Sequence, residues 1–381
     1  MRIGIDATSV PPQPAGAGVY AIELVRAMTE LDAHDGYAVF TRGPWFDDAA
    51  AGKKHWRVEY VEAPTRLKRL LWEQTALPGD ARRLGLEVLH STHHTLPLRK
   101  MAAKRVVTIH DVTFFRMPER YPPPRRYYFQ AITRAAAKVA DAIIVPSQSV
   151  RADLIHALDV DGDKVHVVYE AAADRFRPID ATSALDVARR YGLERRYVLS
   201  VGSLEPGKNR RRLIEAMHEL RTGGIDFDLA IAGQRAWDYE RDIDIVRELS
   251  MGDRVRFLGY VPDGDLPALY SAASVFAFPS LHEGFGLPVL EAMACGTPVV
   301  TSNVSATAEV AGDAALLVDP RDTNAIADAL RRLLTDAELR ARLSGQGRAR
   351  AGEFSWRRAA EETRDVYRSL IPAPAGTRYF W

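Results

Sequence analysis

Cysteine is almost missing from this chain: Cys295 is the only one in 381 residues. A single thiol excludes a disulfide framework or a cysteine-based metal site within one chain, and a reducing compartment fits. Long apolar runs are missing too, since no stretch approaches the 18 residues that crossing a bilayer requires. The opening Met1-Arg-Ile-Gly-Ile-Asp6 puts a charge inside an apolar stretch far too short for a signal-peptide core. A cytoplasmic protein is expected. Low-complexity segments and fixed-period repeats are absent, which excludes solenoids and propellers. With 47% apolar and 27% charged residues, disorder is not favoured either.

The near-neutral overall charge of +1 hides an asymmetry. Between Arg66 and Lys138 there are 15 lysines and arginines against five acids, a local excess of +10. Such a patch could attract anionic lipid headgroups or a diphosphate-bearing acceptor, or be a solvated surface whose arginine stems cover apolar area. A peripheral contact with an anionic membrane is therefore one expectation, and no nucleic-acid partner is expected.

The length suits two domains. Short β-branched runs alternate with longer amphipathic stretches, the pattern of parallel sheets flanked by helices. The spacing predicts strands at 2–6, 37–41, 57–61, 88–90, 105–110, 142–145 and 165–168, then at 197–201, 228–232, 255–258, 275–278, 298–301 and 314–318. Helical spacing is clearest at 18–31, 210–221, 288–294, 324–334 and 355–370. The aperiodic segment Glu170-Ala-Ala-Ala-Asp-Arg-Phe-Arg-Pro178 reads as a linker. The fold class is α/β: two doubly wound, Rossmann-like domains, 1–172 and 173–357, with residues from about 358 to 381 returning to complete the first.

Two segments imitate phosphate motifs. Gly202-Ser-Leu-Glu-Pro-Gly-Lys208 spells the GxxxxGK pattern between a strand and a helix, but Asn209 stands where a nucleoside triphosphatase needs a magnesium-ligating Ser or Thr. What remains is physical: an ammonium beside a helix N-terminus, where an anion is favoured. Gly16-Ala-Gly-Val-Tyr-Ala21 satisfies the dinucleotide fingerprint, yet Pro11, Pro12 and Pro14 separate it from the first strand. It describes a wider glycine loop that lets backbone approach a ligand closely or simply turns.

The most specific segment is Pro279-Ser-Leu-His-Glu-Gly-Phe-Gly-Leu-Pro-Val-Leu-Glu-Ala-Met-Ala-Cys-Gly-Thr-Pro-Val-Val300. It leaves a strand, turns through Gly284 and Gly286, and enters a helix with Pro288 in its first turn. Glu283 falls in the loop and Glu291 about one turn into the helix, an array suited to sugar hydroxyls or, more plainly, to capping the helix dipole. The amides of Phe285, Gly286 and Leu287 are available to phosphate or hydroxyl oxygens.

This segment resembles the E-x7-E signature of the retaining glycosyltransferases of family 4, with Glu283 and Glu291 as its acids. Val201–Asn209 is similar to that family's diphosphate turn, residues 255–261 to its nucleobase segment, Val107-Thr-Ile-His-Asp-Val112 to its acceptor-lobe histidine motif, and residues 3–20 to its first strand and glycine loop. The likeness runs from residue 3 to about residue 310. It implies the GT-B architecture, two lobes facing a central cleft, with a C-terminal helix crossing back to the first lobe. It further implies that Glu283 and the backbone of Phe285, Gly286 and Leu287 hold the donor sugar, that Glu291 holds the ribose, and that Lys208 neutralises the leaving diphosphate in the turn that includes Ser203. His110 would lie at the reaction centre, and Gly16 and Gly18 would close over the phosphates.

The resemblance is greatest to bacterial enzymes of polysaccharide and O-antigen assembly, which implies a nucleotide-sugar co-substrate, GDP-linked before UDP-linked, and a glycan or polyprenyl-diphosphate-linked acceptor. No cofactor or metal is implied. The four D-x-D pairs, Asp226 with Asp228, Asp242 with Asp244, Asp161 with Asp163 and Asp263 with Asp265, fit chance and capping better than a metal–diphosphate site. Ser203 and Gly207 stand where many members carry a second cation, leaving Arg210, Arg211 or Arg212 as substitutes. A sugar-nucleotide 2-epimerase of the same architecture and a non-catalytic nucleotide-sugar-binding subunit are the rival readings.

Overall fold

The predicted alternation of strand and helix folds into two parallel sheets, one in each of two units: Met1–Glu170 together with the chain from Trp356, and Ala171–Ser355. The computed structural model describes residues 1–31, 34–236 and 239–371. The tail beyond 371, which was expected to help complete the first unit, lies outside the described residues.

The first unit carries β1 (Arg2–Asp6), β2 (Gly36–Thr41), β3 (Trp56–Tyr60), β4 (Val88–Ser91), β5 (Lys104–Thr108), β6 (Ala142–Val145) and β7 (Val165–Val167), in the spatial order β3-β2-β1-β4-β5-β6-β7. The order reverses between β1 and β4, the switch point at which doubly wound sheets place ligands beyond their carboxyl ends. β1, β4 and β6 are buried almost throughout because helices cover both faces, so their side chains do not alternate between apolar and polar. The last helix, Trp356–Leu370, belongs to this unit and packs on helix Ala17–Glu30. It buries Trp356, Ala359, Ala360, Thr363, Val366 and Tyr367, spaced at three and four residues, and its outer face carries Arg357–Glu361 and Arg358–Glu362 pairs.

The second unit carries β8 (Tyr197–Val201), β9 (Asp228–Ala232), β10 (Val255–Gly259), β11 (Val275–Phe278), β12 (Val299–Ser302) and β13 (Leu316–Val318), ordered β10-β9-β8-β11-β12-β13, with its own reversal between β8 and β11. Its core joins Leu213, Met217 and Leu220 of helix Arg210–Thr222 to Leu229, Ile231, Val275 and Ala277 of the sheet and to Ile326, Leu330 and Leu333 of helix Thr323–Thr335. Gly233, just past β9, has φ +151°, and a Cβ there would sit 1.9 Å from the Gly202 carbonyl oxygen. Two backbones thus touch directly where β8 and β9 end, and glycine is obligatory for steric reasons.

Strands β3 and β7 end one residue earlier than the spacing predicts, and β5 two residues earlier. β5 stops at Thr108, so His110 is two residues beyond it. The Asp111 carboxylate accepts the Thr113 amide at 2.9 Å and turns the chain into the short helix Thr113–Arg116. The last predicted strand is also shorter, because Gly312–Ala314 forms a 3-10 turn before β13.

Candidate active site

In the second unit, the turn after β8 is fastened from beneath. Pro206–Lys208 forms one 3-10 turn, and Asn209 follows in the left-handed conformation, φ 57° and ψ 34°, which asparagine tolerates better than most residues. The buried Asn209 amide donates to the Pro279 carbonyl at 2.9 Å and the Pro320 carbonyl at 2.6 Å, while its Oδ1 accepts from Arg212 at 2.9 Å. Asn209 thereby ties the turn to the loop that follows β11. Leu281 N donates to the Gly207 carbonyl at 2.9 Å, and the Ser280 hydroxyl lies 2.8 Å from the same oxygen.

This fastening brings together two residues 75 positions apart. Lys208 Nζ donates to Glu283 Oε1 at 2.7 Å, with both side chains only 15–16% exposed. Ser280 Oγ lies 2.5 Å from the same carboxylate oxygen. Glu205 stands 4.0 Å from the ammonium, and the Lys208 ammonium is 5.3 Å from the centre of the Phe278 ring. Of the two carboxylates near Lys208, that of Glu283 holds the ammonium in place.

The three arginines considered as a second phosphate cation are engaged elsewhere. Arg210 is 1% exposed; its guanidinium donates to the Ser203 carbonyl at 2.6 Å and, through Nη2, to the Gly202 carbonyl. Burial lowers its pKa to about 10, against the pull of Asp242, Glu205 and Glu283. Arg210 shapes the glycine turn from inside. Arg211 lies on the surface in a 3.0 Å pair with Glu215, and Arg212 holds Asn209. Ser203 contributes its carbonyl to Arg210 and remains part of the turn.

Gly286 caps helix Leu287–Ala294 at φ +118°, and a Cβ there would meet Thr307 Cγ2 at 3.3 Å. The side chain of Phe285 is buried, edge-on to Phe354 at 6.1 Å, so what Phe285 can offer a ligand is its backbone. The first-turn amide of Leu287 has no acceptor within its helix. One turn on, Glu291 accepts a 2.9 Å hydrogen bond from the Tyr270 hydroxyl. Burial pushes the Glu291 carboxyl up to about 7, although Tyr270 and Arg175 pull it down; Asp263 adds to the rise.

In the first unit, His110 Nε2 donates to the Thr92 carbonyl at 2.9 Å, and Nδ1 faces Glu170 Oε1 at 3.4 Å. Both ring nitrogens thus meet acceptor oxygens, and the Tyr20 ring stands edge-on at 4.8 Å. Behind it runs a buried relay: Tyr20 hydroxyl to Thr108 Oγ1 at 3.0 Å, Thr108 Oγ1 to His90 Nε2 at 2.7 Å, and His90 Nδ1 to the Tyr367 hydroxyl at 2.6 Å. Burial, with a smaller contribution from His110, lowers His90 to about 3 and keeps it neutral. Gly16 is exposed at φ +49° with open space where a side chain would be, whereas Gly18 is buried against Pro11, 3.1 Å from its would-be Cβ.

Glu170, Tyr270, Tyr20, His90 and Tyr367 stand beside the candidate residues in this structure and were not singled out from the sequence. Glu170 sits in the aperiodic segment read as a linker, and the others look like ordinary buried positions of strands and helices. At least one carboxylate of each D-x-D pair is engaged locally. Asp226 pairs with Arg195 and with Arg254 at 2.8 Å, Asp161 caps the Asp163 amide at 3.0 Å, and Asp244 meets Arg247 at 3.3 Å. Asp263 meets Arg175 at 3.1 Å, and Asp265 takes Arg190 at 3.0 Å and Tyr191 at 2.7 Å. Among the described residues no group of three or more His, Cys, Asp or Glu is arranged to hold a metal ion, and no helix is long and apolar enough to cross a membrane.

Two family models match the chain: Glycosyltransferase Family 4 over residues 14–172 and Glycosyl transferases group 1 over residues 188–350. The chain is 33% identical over 371 residues to O-antigen chain mannosyltransferase B of Escherichia coli, covering 93% of this chain and 96% of that one. It is 30% identical over 299 residues to the serotype-specific mannosyltransferase WbdA of Escherichia coli, covering 76% of this chain and 36% of that longer protein. Among solved structures, sucrose-phosphate synthase of Thermosynechococcus elongatus superposes with a TM-score of 0.79 at 24% identity, over 97% of this chain and 98% of that one.

Proposed function

We propose, from the premise that the chain belongs to glycosyltransferase family 4, that it transfers mannose or a related hexose from a nucleotide sugar to a glycan or polyprenyl-diphosphate-linked glycan. The donor is GDP-linked in preference to UDP-linked, the anomeric configuration is retained, and no metal ion takes part. The setting is bacterial polysaccharide assembly in the cytoplasm, with peripheral contact to the inner face of the membrane through the basic stretch 66–138. Mannose is favoured because a relative that aligns almost end to end is a mannosyltransferase of O-antigen chains.

The Lys208–Glu283 pair at 2.7 Å carries this assignment. As the bond from the anomeric carbon to the departing diphosphate breaks, positive charge develops on the sugar ring and negative charge on the leaving oxygen. An ammonium already fixed in place meets the second charge without reorganisation, and Glu283 beside it accepts from sugar hydroxyls. Glu291 accepts from the ribose. No carboxylate is assigned as a covalent nucleophile; the acceptor oxygen attacks from the face that the diphosphate leaves, and the departing phosphate takes its proton. His110, with both nitrogens engaged, orients the acceptor side through the Thr92 and Glu170 contacts.

The test is Lys208→Ala, assayed for transfer from GDP-mannose to a lipid-linked acceptor. The rate should fall by about two to three orders of magnitude, the range for losing a preorganised charge at the leaving group, with the far-ultraviolet spectrum unchanged. Near-normal turnover removes the diphosphate role. Wild-type protein given donor alone should hydrolyse it slowly; conversion to an epimerised donor would replace transfer by epimerisation.

A further inference from the structure

Two contacts in the plane of the ring hold His110, Nε2 to the Thr92 carbonyl at 2.9 Å and Nδ1 toward Glu170 at 3.4 Å. They leave it one freedom, a tilt about the line through the two nitrogens. Tyr20 stands against that tilt. Its ring meets the imidazole edge-on at 4.8 Å and 80°, closer than the rings of His93 and His94 at 5.9 and 6.1 Å.

Tyr20 is fixed in turn by the last helix, and in two ways. Its ring lies 6.0 Å from that of Trp356, with which helix Trp356–Leu370 begins. Its hydroxyl bonds Thr108 Oγ1 at 3.0 Å, Thr108 Oγ1 bonds His90 Nε2 at 2.7 Å, and His90 Nδ1 bonds the Tyr367 hydroxyl at 2.6 Å. None of these four side chains is more than 1% exposed, so a bond that is lost leaves a polar atom out of reach of water. The neutral imidazole of His90 offers one N–H and one lone pair. The role that one nitrogen takes toward Tyr367 therefore fixes the role of the other toward Thr108, and with it the hydroxyl that anchors Tyr20. A buried chain in which every bond is made rigidifies the group on which it ends.

We infer that Tyr20 is a positioning residue for His110, and that Tyr367 of the last helix sets Tyr20 through His90 and Thr108. The inference rests on the transferase reading for the place of His110 at the reaction centre, but the positioning itself can be read without transfer. Tyr20→Phe and Tyr367→Phe each delete one hydroxyl and keep the ring. In the full-length protein each should lower kcat for transfer from GDP-mannose to a polyprenyl-diphosphate-linked disaccharide by about tenfold, with KM for GDP-mannose within about twofold of wild type, because a small misplacement at a reaction centre is felt in the chemical step. The double variant should be no worse than either single one, since both cut the same chain. Tyr20→Leu, which removes the ring itself, should cost more. Val366→Ala is the stability control: it opens a cavity in the same helix and deletes no hydrogen bond, so it should melt at least as low as Tyr367→Phe and keep the wild-type kcat. The ring nitrogens of His110 are followed by magnetic resonance in ligand-free protein carrying isotope-labelled histidine, and assigned by their absence from His110→Gln. Their resonances should shift in Tyr367→Phe and stay in place in Val366→Ala. An unchanged kcat in both Phe variants, additive losses in the double variant, or His110 resonances that Tyr367→Phe leaves in place or Val366→Ala moves equally would overturn the proposal. A wild-type protein without transfer activity would sink the transferase reading alone, and the resonances would still decide the positioning.

Discussion

Replacing Glu291 by glutamine should stabilise the protein above neutral pH and weaken it as an enzyme. An ordinary glutamate carboxyl titrates near 4.5, and burial holds that of Glu291 up to about 7. Keeping such a group ionised costs about 3 kcal/mol at full value and about 1–3 kcal/mol once partial solvation is allowed for. Above pH 7 the carboxylate is ionised in both the folded and unfolded chain, so the whole cost falls on the folded state. Between 7 and 4.5 the folded protein takes up a proton that the unfolded chain has released, and the cost fades. Glutamine is neutral throughout, and its side-chain oxygen can still accept from Tyr270. The ligand-free variant should therefore melt about 3–9 °C above wild type at pH 8 for a unit of this size, and within a degree or two of it at pH 5. Donor affinity at pH 8 should fall about tenfold, because a neutral amide accepts ribose hydroxyls more weakly than a carboxylate does. Calorimetric melting at both pH values, with donor titration at pH 8, decides the matter. A melting difference that is equal at pH 5 and pH 8, or a variant less stable at pH 8, would refute the electrostatic reasoning.

Two further substitutions probe the glycine turn. Gly233→Ala places a Cβ 1.9 Å from the Gly202 carbonyl at a φ of +151°; urea denaturation should show a loss of about 3 kcal/mol or more, with donor binding falling alongside. Arg210→Ala removes a buried guanidinium and strands the Gly202 and Ser203 carbonyls, for an expected loss of about 2–4 kcal/mol and a raised KM for the donor. Arg211→Ala, at an exposed pair, should change stability by less than about 0.5 kcal/mol, and similar losses in these two arginine variants would show that Arg210 has no special part in the turn.

Much of the fold was legible because parallel sheets covered on both faces write themselves as short apolar runs between amphipathic helices. Strands β1, β6, β8, β9 and β11 fall where the pattern places them. The ends were less legible: the spacing carried β5 on to His110, whereas the strand stops at Thr108 and the Asp111 carboxylate then turns the chain by accepting the Thr113 amide, a bond that leaves no trace in hydrophobic periodicity. The donor-side residues could be read as a motif, and their convergence could not. Nothing in the order of residues says that Lys208 and Glu283 meet, since the meeting depends on the Asn209 amide reaching two carbonyls from distant loops. The three adjacent arginines show the same limit from the other side: identical residues in a row, one inside the turn, one on the surface and one holding Asn209.

The hydrogen bond between His90 and Tyr367 joins residues 277 positions apart within the first unit. Its consequence concerns the order of synthesis. Residues 171–355 emerge from the ribosome as one continuous stretch and can assemble as soon as they are out. The first unit begins sooner and finishes later: until Trp356–Leu370 has been made, the apolar face of helix Ala17–Glu30 stays uncovered and His90 lacks its phenol. Nascent chains halted before Trp356 should thus expose an incomplete amino-terminal half to proteases while the middle of the chain is already protected. A frameshift in the last helix would disable the enzyme without altering any residue that meets a substrate.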